Sequence, residues 1–226
     1  MIDNTFRAMM PRVSGPLLRI YGRLGWTPNH VTLLGCAIAI LASVAVALGF
    51  WWAACALWWL SRVADGTDGV YARESGQESD FGAYFDIVLD MAAYGAMVLG
   101  FAIAVPELYG RWLAMLFLYV LCISTALALG MQEAKRSIPP RDNRGLRLGA
   151  GLAEGGETGI AYTIFLLFPT YLALSTAVWI GILIITVVAR TFLAYHTLGS
   201  PDAAPSDPIP ASVGSTTTRE PDSPKV

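Results

Sequence analysis

From Val31 to Leu48 the chain runs eighteen residues without a charged side chain, and apolar stretches of similar character recur as far as Ala194. In helical form such a run crosses a bilayer core, which takes about 20 residues. Lipid offers the backbone no hydrogen bonds, so a spanning segment must be a helix or part of a closed barrel. Hydrophobic residues are 55% of the 226 and charged residues 14%, too apolar a balance for a soluble domain of this size. The expected fold class is therefore all-α: a polytopic membrane protein with six transmembrane helices. These fall near residues 31–48, 51–63, 84–105, 112–131, 158–174 and 178–194. The second is too short to span unless its helix continues through Asp65 and Asp68 to Arg73, which puts those aspartates near one membrane face.

Ahead of the spans, residues 6–24 interleave apolar side chains with Arg7, Arg12, Arg19 and Arg23. This suits an amphipathic segment lying on the membrane, broken at Pro11, Gly15 and Pro16; a solvated arm is the plainer alternative. The pattern does not resemble a cleavable signal peptide. Three regions follow: a cytoplasmic N-terminal segment (1–29), a membrane domain (30–198), and a tail (199–226) whose polar, Pro- and Ser-rich composition predicts disorder. Lys135, Arg136, Arg141, Arg144 and Arg147 lie between spans four and five, whereas the turns on the other side are nearly free of basic residues. By the positive-inside rule both termini face the cytoplasm, as an even span count requires. Cys36, Cys55 and Cys122 lie in apolar blocks without a CxxC or Cys/His pattern and read as packing residues. No nucleic-acid partner is expected.

Carboxylates near a bilayer are costly without a partner or a task. Asp65 and Asp68 are three residues apart and Asp86 and Asp90 four apart, so each pair shares a helix face. A lone membrane aspartate is readily explained as a polar contact between helices; four in register are not. Four converging negative charges call for cations between them, and oxygen ligands without His or Cys point to a hard ion, Mg²⁺ or Mn²⁺. Two pairs suggest two ions, as in phosphoryl-transfer sites. Arg73 is placed to neutralise a phosphate oxygen. Asp90, deeper along its helix, is the candidate general base.

In full, the segment is Asp65-Gly-Thr-Asp68-Gly69-Val-Tyr-Ala72-Arg73, eight residues, Gly82, three residues, Asp86, three residues, Asp90. It resembles the signature of the CDP-alcohol phosphotransferase (CDP-alcohol phosphatidyltransferase) family at all eight fixed positions and every spacing. The resemblance covers about residues 25–197. It implies a six-helix membrane enzyme of phospholipid biosynthesis, usually a homodimer, with its site in a polar cavity at the cytoplasmic surface. Asp65, Asp68, Asp86 and Asp90 would bind two divalent metals, with Asp90 also the base. Gly69, Ala72, Arg73 and Gly82 would line the CDP pocket. The segment Thr27-Pro28-Asn29-His30-Val31-Thr32 looks like the family's approach to its first span, with Asn29 and Thr32 near the nucleotide; an N-cap at Asn29 is the plainer reading. Compact members of this kind are mostly bacterial, which implies the inner membrane and CDP-diacylglycerol as donor. The alternative is a small phospho-alcohol moved from a CDP carrier to diacylglycerol.

The alcohol acceptor stays open. Lys135 and Arg136 could bind an acceptor phosphate or simply mark the membrane edge. Glu154 and Glu157 could favour a neutral polyol or an amine, or Glu157 could complement a helix dipole. Two rival classes are an intramembrane prenyltransferase, which also holds pyrophosphate with aspartates and Mg²⁺, and a non-catalytic membrane metal-binding protein.

Overall fold

The structure is a computed structural model that describes residues 14–136 and 155–199. Residues 1–13, the basic segment from 137 to 153, Glu154 and the tail from 200 onward lie outside the described residues. Among those described, regular structure is entirely helical: α1 Gly15–Arg23, α2 Pro28–Ala47, α3 Trp51–Ser75, α4 Asp80–Ala104, α5 Tyr109–Lys135, α6 Gly155–Leu167 and α7 Leu172–Leu198, with short 3₁₀ turns at Pro106–Leu108 and Pro169–Tyr171.

Four segments are long and apolar enough to cross a membrane: Pro28–Ala47, Asp80–Ala104, Pro106–Lys135 and Pro169–Leu198. The chain is an integral membrane protein. The expected count of six is met by length and composition at four places. Helix α3 is long enough at 25 residues but carries Arg62, Asp65, Asp68, Arg73 and Glu74. Helix α6 has 13 described residues, about 20 Å of rise. As the spacing requires, α3 runs without a break through Asp65 and Asp68 past Arg73.

Two expected boundaries move. The stretch 158–174 is cut at Phe168, and the last helix begins at Leu172 rather than near 178. Pro169 disfavours a helical conformation at the residue before it and offers no N–H to the preceding turn. Pro106 ends α4 in the same way, and Trp112 Nε1 donates to the Val105 carbonyl at 3.0 Å, satisfying one of the oxygens left at that terminus.

At the N-terminus, Pro16 sits in the first turn of α1 instead of breaking it, a position where the missing N–H is harmless. Leu18 and Tyr21 are buried with Val31, Ala64, Val70 and Tyr71, so α1 packs onto the bundle. Tyr21 stacks on Trp26 and meets the edge of Tyr71, and Tyr71 Oη donates to the Trp26 carbonyl at 2.9 Å. These contacts tie the approach to α2 against α3. The N-cap of α2 is Thr27, not Asn29: Pro28 takes the first helical position, and the Thr27 N–H donates to His30 Nδ1 at 3.0 Å.

Helix α2 packs along both α3 and α4 and forms the centre of this half of the molecule, while α5 packs on α7 and α6 on α3. Small residues allow the close approach, as between membrane helices generally. A Cβ on Gly35 of α2 would stand 3.4 Å from Ala64 Cβ and from the Asp65 nitrogen of α3. Gly100 of α4 lies directly against the Ser43 backbone of α2, and Ser43 Oγ donates to the Ala96 carbonyl. An aromatic core of Trp58, Tyr94, Phe101, Trp112, Tyr162 and Phe165 joins α3 to α6.

Candidate active site

Helices α3 and α4 are joined by a tight turn. Gly76 closes α3 at φ +65°, a conformation glycine adopts freely, and Ser79 opens α4 by accepting from the Gly82 N–H at 3.0 Å. Both helices pack against α2. Arg62 of α3 lies between Asp65 on its own helix and Asp90 on α4. Asp65 and Asp68 are both charged groups taken out of water, with the charges of Asp86 and Asp90 acting on each. Of the four predicted aspartates, Asp65 and Asp90 meet at the Arg62 guanidinium.

Asp68 is the most buried of them, 6% exposed. Thr32 Oγ1 of α2 donates to its Oδ2 at 2.6 Å, and the Gly69 N–H donates to its Oδ1 at 2.6 Å. Thr32 thus serves a carboxylate directly. Asn29, one turn earlier on the same face, reaches α4: a Cβ on Gly82 would meet Asn29 Oδ1 at 3.4 Å and Ser79 Oγ at 3.1 Å. Gly82 therefore lets the start of α2 meet the start of α4. Gly69 lies under the exposed Arg73, whose Nη1 would be 3.5 Å from an added Cβ. Ala72 is half-buried in the last turn of α3.

At the deeper end the arrangement centres on Arg62, which the sequence reading passed over. Its Nη1 donates to Asp90 Oδ1 at 2.6 Å, lies 3.4 Å from Asp65 Oδ2, and approaches Tyr94 Oη at 3.3 Å. Tyr94 Oη donates to Asp90 Oδ2 at 3.0 Å. The guanidinium lies over the rings of Trp58 and Tyr94, 4.6 Å and 5.2 Å from their centres. The signal was legible: an arginine inside an apolar run, three residues before Asp65, needs a partner. Counting carboxylates alone missed it.

The donor set is all oxygen, which fits a hard divalent cation. As arranged, no three His, Cys, Asp or Glu side chains among the described residues stand close enough to enclose an ion. Arg62 engages the Asp65–Asp90 end, while Thr32 and the Gly69 N–H engage Asp68.

Of the residues expected at the acceptor, Lys135, Arg136 and Glu157 are described. Lys135 ends α5 and is exposed, and Arg136 follows it half-buried. Among the described residues no hydrogen bond or ion pair joins either to the aspartates. Glu157, in the first turn of α6, lines an apolar groove of about 650 Å³ with Ile160, Ile164, Phe168 and Trp179. Gly155, beginning the same helix, does reach the site: a Cβ there would stand 3.1 Å from Tyr94 Oη. Two buried charges on α5 and α7, Glu133 and Arg190, were also missed. Arg190 Nη1 donates to the Cys122 carbonyl at 2.8 Å.

Residues 26–191 match the family model for CDP-alcohol phosphatidyltransferases. The chain is 35% identical over 203 residues to inner membrane protein YnjF of Escherichia coli K12, covering 86% of this chain and 97% of that one. It is 27% identical over 205 residues to phosphatidylinositol phosphate synthase of Mycobacterium tuberculosis H37Rv, covering 87% and 92%. The crystal structure of the M. tuberculosis phosphatidylinositol phosphate synthase PgsA1 with CDP-DAG bound superposes with a TM-score of 0.62 at 24% identity, over 88% of this chain and all of that one. The same enzyme in complex with manganese and citrate gives 0.59 at 23% identity, over 84% and 91%. A match across nearly the whole membrane region places this chain in the CDP-alcohol phosphatidyltransferase family, as a transferase of phospholipid biosynthesis.

Proposed function

We propose that the protein transfers a phosphatidyl group from CDP-diacylglycerol to the hydroxyl of a small alcohol and releases CMP. What supports this is membership of the family together with Arg62 joining Asp65 of α3 to Asp90 of α4 and Thr32 of α2 holding Asp68. The four aspartates would hold two Mg²⁺ or Mn²⁺ ions. When bound, such ions neutralise a pyrophosphate and make its phosphorus more electrophilic. Thr32 and the Gly69 N–H fix Asp68 for that task, and the small side chains of Gly69, Ala72 and Gly82, with Asn29, leave room for the nucleotide. Arg73 at the cleft mouth neutralises a phosphate oxygen. Asp90 takes the proton from the acceptor hydroxyl. The acceptor oxygen bonds to the lipid-side phosphorus, the bridging P–O bond breaks, and its electron pair leaves on CMP. The acceptor approaches beside α6, where Gly155 abuts Tyr94, with Lys135 and Arg136 at the cytoplasmic edge to attract a phosphorylated alcohol.

The reading includes six spans in a bacterial inner membrane, with α3 and α6 completing the set, an N-terminal segment on the membrane surface, both termini and the site in the cytoplasm, and a homodimer. The relatives named as phosphatidylinositol phosphate synthases make inositol phosphate the first acceptor to try. The test is CMP release by purified protein in detergent with CDP-diacylglycerol, Mg²⁺ and, separately, inositol phosphate, inositol, glycerol phosphate or serine. CMP release that needs both metal and one acceptor is the expected result. Turnover only with a small CDP-alcohol and diacylglycerol would reverse donor and acceptor. Pyrophosphate release from a prenyl donor, or no turnover in any mixture, would overturn the proposal.

A further inference from the structure

A short helix is marginal on its own, and the nine residues of α1, Gly15–Arg23, are held to the bundle by two buried side chains. Leu18 and Tyr21 lie with Val31 of α2 and with Ala64, Val70 and Tyr71 of α3. Tyr21 Oη is 3.2 Å from Thr67 Oγ1. The single hydroxyl proton of Thr67 is turned to the Val63 and Ala64 carbonyls, 2.9 Å from each, so Tyr21 is the donor. Thr67 stands between Asp65 and Asp68 in α3. Helix α1 is thus bonded to the turn that carries the first aspartate pair.

The rest of α1 faces outward. Arg19 and Arg23, four residues apart, are neighbours on one exposed face, and Ile20 and Leu24, 48% and 56% exposed, are neighbours on the next. Two like charges at that spacing weaken a helix. Arg23 complements the helix C-terminus, whereas Arg19 meets only the Gly15 carbonyl, at 3.2 Å. Neither pairs with a carboxylate among the described residues, and residues 14–25 contain no acid. Cations beside large apolar side chains suit the boundary of a membrane, where the apolar groups enter the acyl layer and the cations meet headgroup phosphate. A zwitterionic headgroup carries its own cation beside that phosphate. Net attraction therefore comes from anionic lipid, about fivefold in binding for each arginine.

We propose that the outward face of α1 is a docking surface for anionic phospholipid headgroups, and that this contact seats Tyr21 on Thr67 and so steadies the part of α3 that carries Asp65 and Asp68. The docking deepens the reading of the N-terminal segment as lying on the membrane. Its effect on turnover rests on the proposed reaction; the contact itself does not.

The test uses the full chain in nanodiscs, with a spin label on Gly22→Cys in a background lacking Cys36, Cys55 and Cys122. Gly22 is exposed and a Cβ there meets nothing within 4 Å, so the label reports on α1 without crowding it. In discs of equal phosphatidylcholine and phosphatidylglycerol the label should be ordered. In phosphatidylcholine alone its mobile fraction should rise at least about fivefold. Arg19→Gln or Arg23→Gln should raise the mobile fraction in mixed discs by about fivefold, and the two together should abolish the response to lipid. CMP release should follow the ordered fraction. Tyr21→Phe, which keeps the ring and removes the hydroxyl, should lower CMP release in mixed discs at least about twofold while the label still responds to lipid. Equal order in both lipids overturns the docking surface. So does order restored in phosphatidylcholine discs by inorganic phosphate, or order found only in discs that hold two chains, which would give the face to a second copy. A label that responds while CMP release does not overturns the link to α3. No CMP release in any mixture would remove the proposed reaction instead, and the label alone would then decide the docking.

Discussion

Both oxygens of Asp90 are held by the protein, Oδ1 by Arg62 and Oδ2 by Tyr94, and each carboxylate oxygen keeps a further lone pair for a proton or a metal. Asp90→Asn preserves shape and most contacts but cannot accept the proton. It should cut kcat by about 10²–10⁴, the range of a general base, with donor affinity measured on the same preparation nearly unchanged. A parallel loss of donor affinity would assign Asp90 to metal binding alone. Thr32 offers a second residue-scale test, because its hydroxyl meets Asp68 in a charge-assisted hydrogen bond of 2.6 Å. Thr32→Val is nearly isosteric and removes that bond, worth about 1.5–3 kcal/mol to a charged group. The Mg²⁺ concentration for half-maximal activity should rise by about tenfold or more, with kcat at saturating metal little altered. A fall in stability without a shift in the metal requirement would make Thr32 a packing residue.

At the scale of elements, the site depends on how closely α4 lies on α2. A Cβ on Gly100 would stand 2.5 Å from the Ser43 carbonyl oxygen and 2.8 Å from its Oγ, whereas one on Gly95, on the same helix, meets nothing within 4 Å. Gly100→Ala must push the helices apart and should lower unfolding stability in detergent by about 1–3 kcal/mol, the usual cost of overpacking. Gly95→Ala should be neutral or stabilising by up to about 1 kcal/mol from helix propensity. Thermal unfolding of the two variants side by side checks the contrast; equal shifts would mean that Gly100 does not limit the approach. Length foretold the continuation of α3 through Asp65 to Arg73, because the apolar run 51–63 is too short to span unless its helix goes on. It did not foretell where α6 ends and α7 begins. Leu172–Ala177 is as apolar as the spans around it, so hydropathy is blind there, and Pro169 carried the boundary alone. Which helix α3 and α4 both pack against was hidden too: Gly35 and Gly100 look like ordinary glycines in the sequence until the neighbour that each admits is known. The aspartate signature is recognisable because its residues are local and regularly spaced, but the Arg62–Tyr94–Asp90 clamp joins residues 28 and 32 apart, a coincidence that a linear pattern does not display.

Across the whole molecule the two ends differ in character. Exposed aromatics lie at both ends: Phe50, Trp52, Tyr109, Phe168 and Tyr171 by the turns 48–50, 105–108 and 168–171, and Phe81, Tyr84, Phe192 and Tyr195 toward the other end. That other end carries Arg19, Arg23, Arg73, Lys135 and Arg136, with the turn from Gly76 to Ser79 and the four aspartates nearby. Aromatic side chains favour the interface between lipid and water, and basic side chains accumulate on the cytoplasmic side. The positive-inside rule is the ground for the proposal that the Arg73 end, and the site, face the cytoplasm. A CDP-linked substrate made in the cytoplasm would then reach the aspartates without crossing the membrane. Single cysteines placed in a background lacking Cys36, Cys55 and Cys122 test this in intact cells with a maleimide that cannot cross the membrane. Thr170→Cys, at an exposed position in the outer turn, should label at once. Glu78→Cys, exposed between α3 and α4, should label only after the membrane is permeabilised. Labelling of the second position in intact cells would put the aspartates on the outer face, away from their nucleotide, and the proposed reaction could not stand with it.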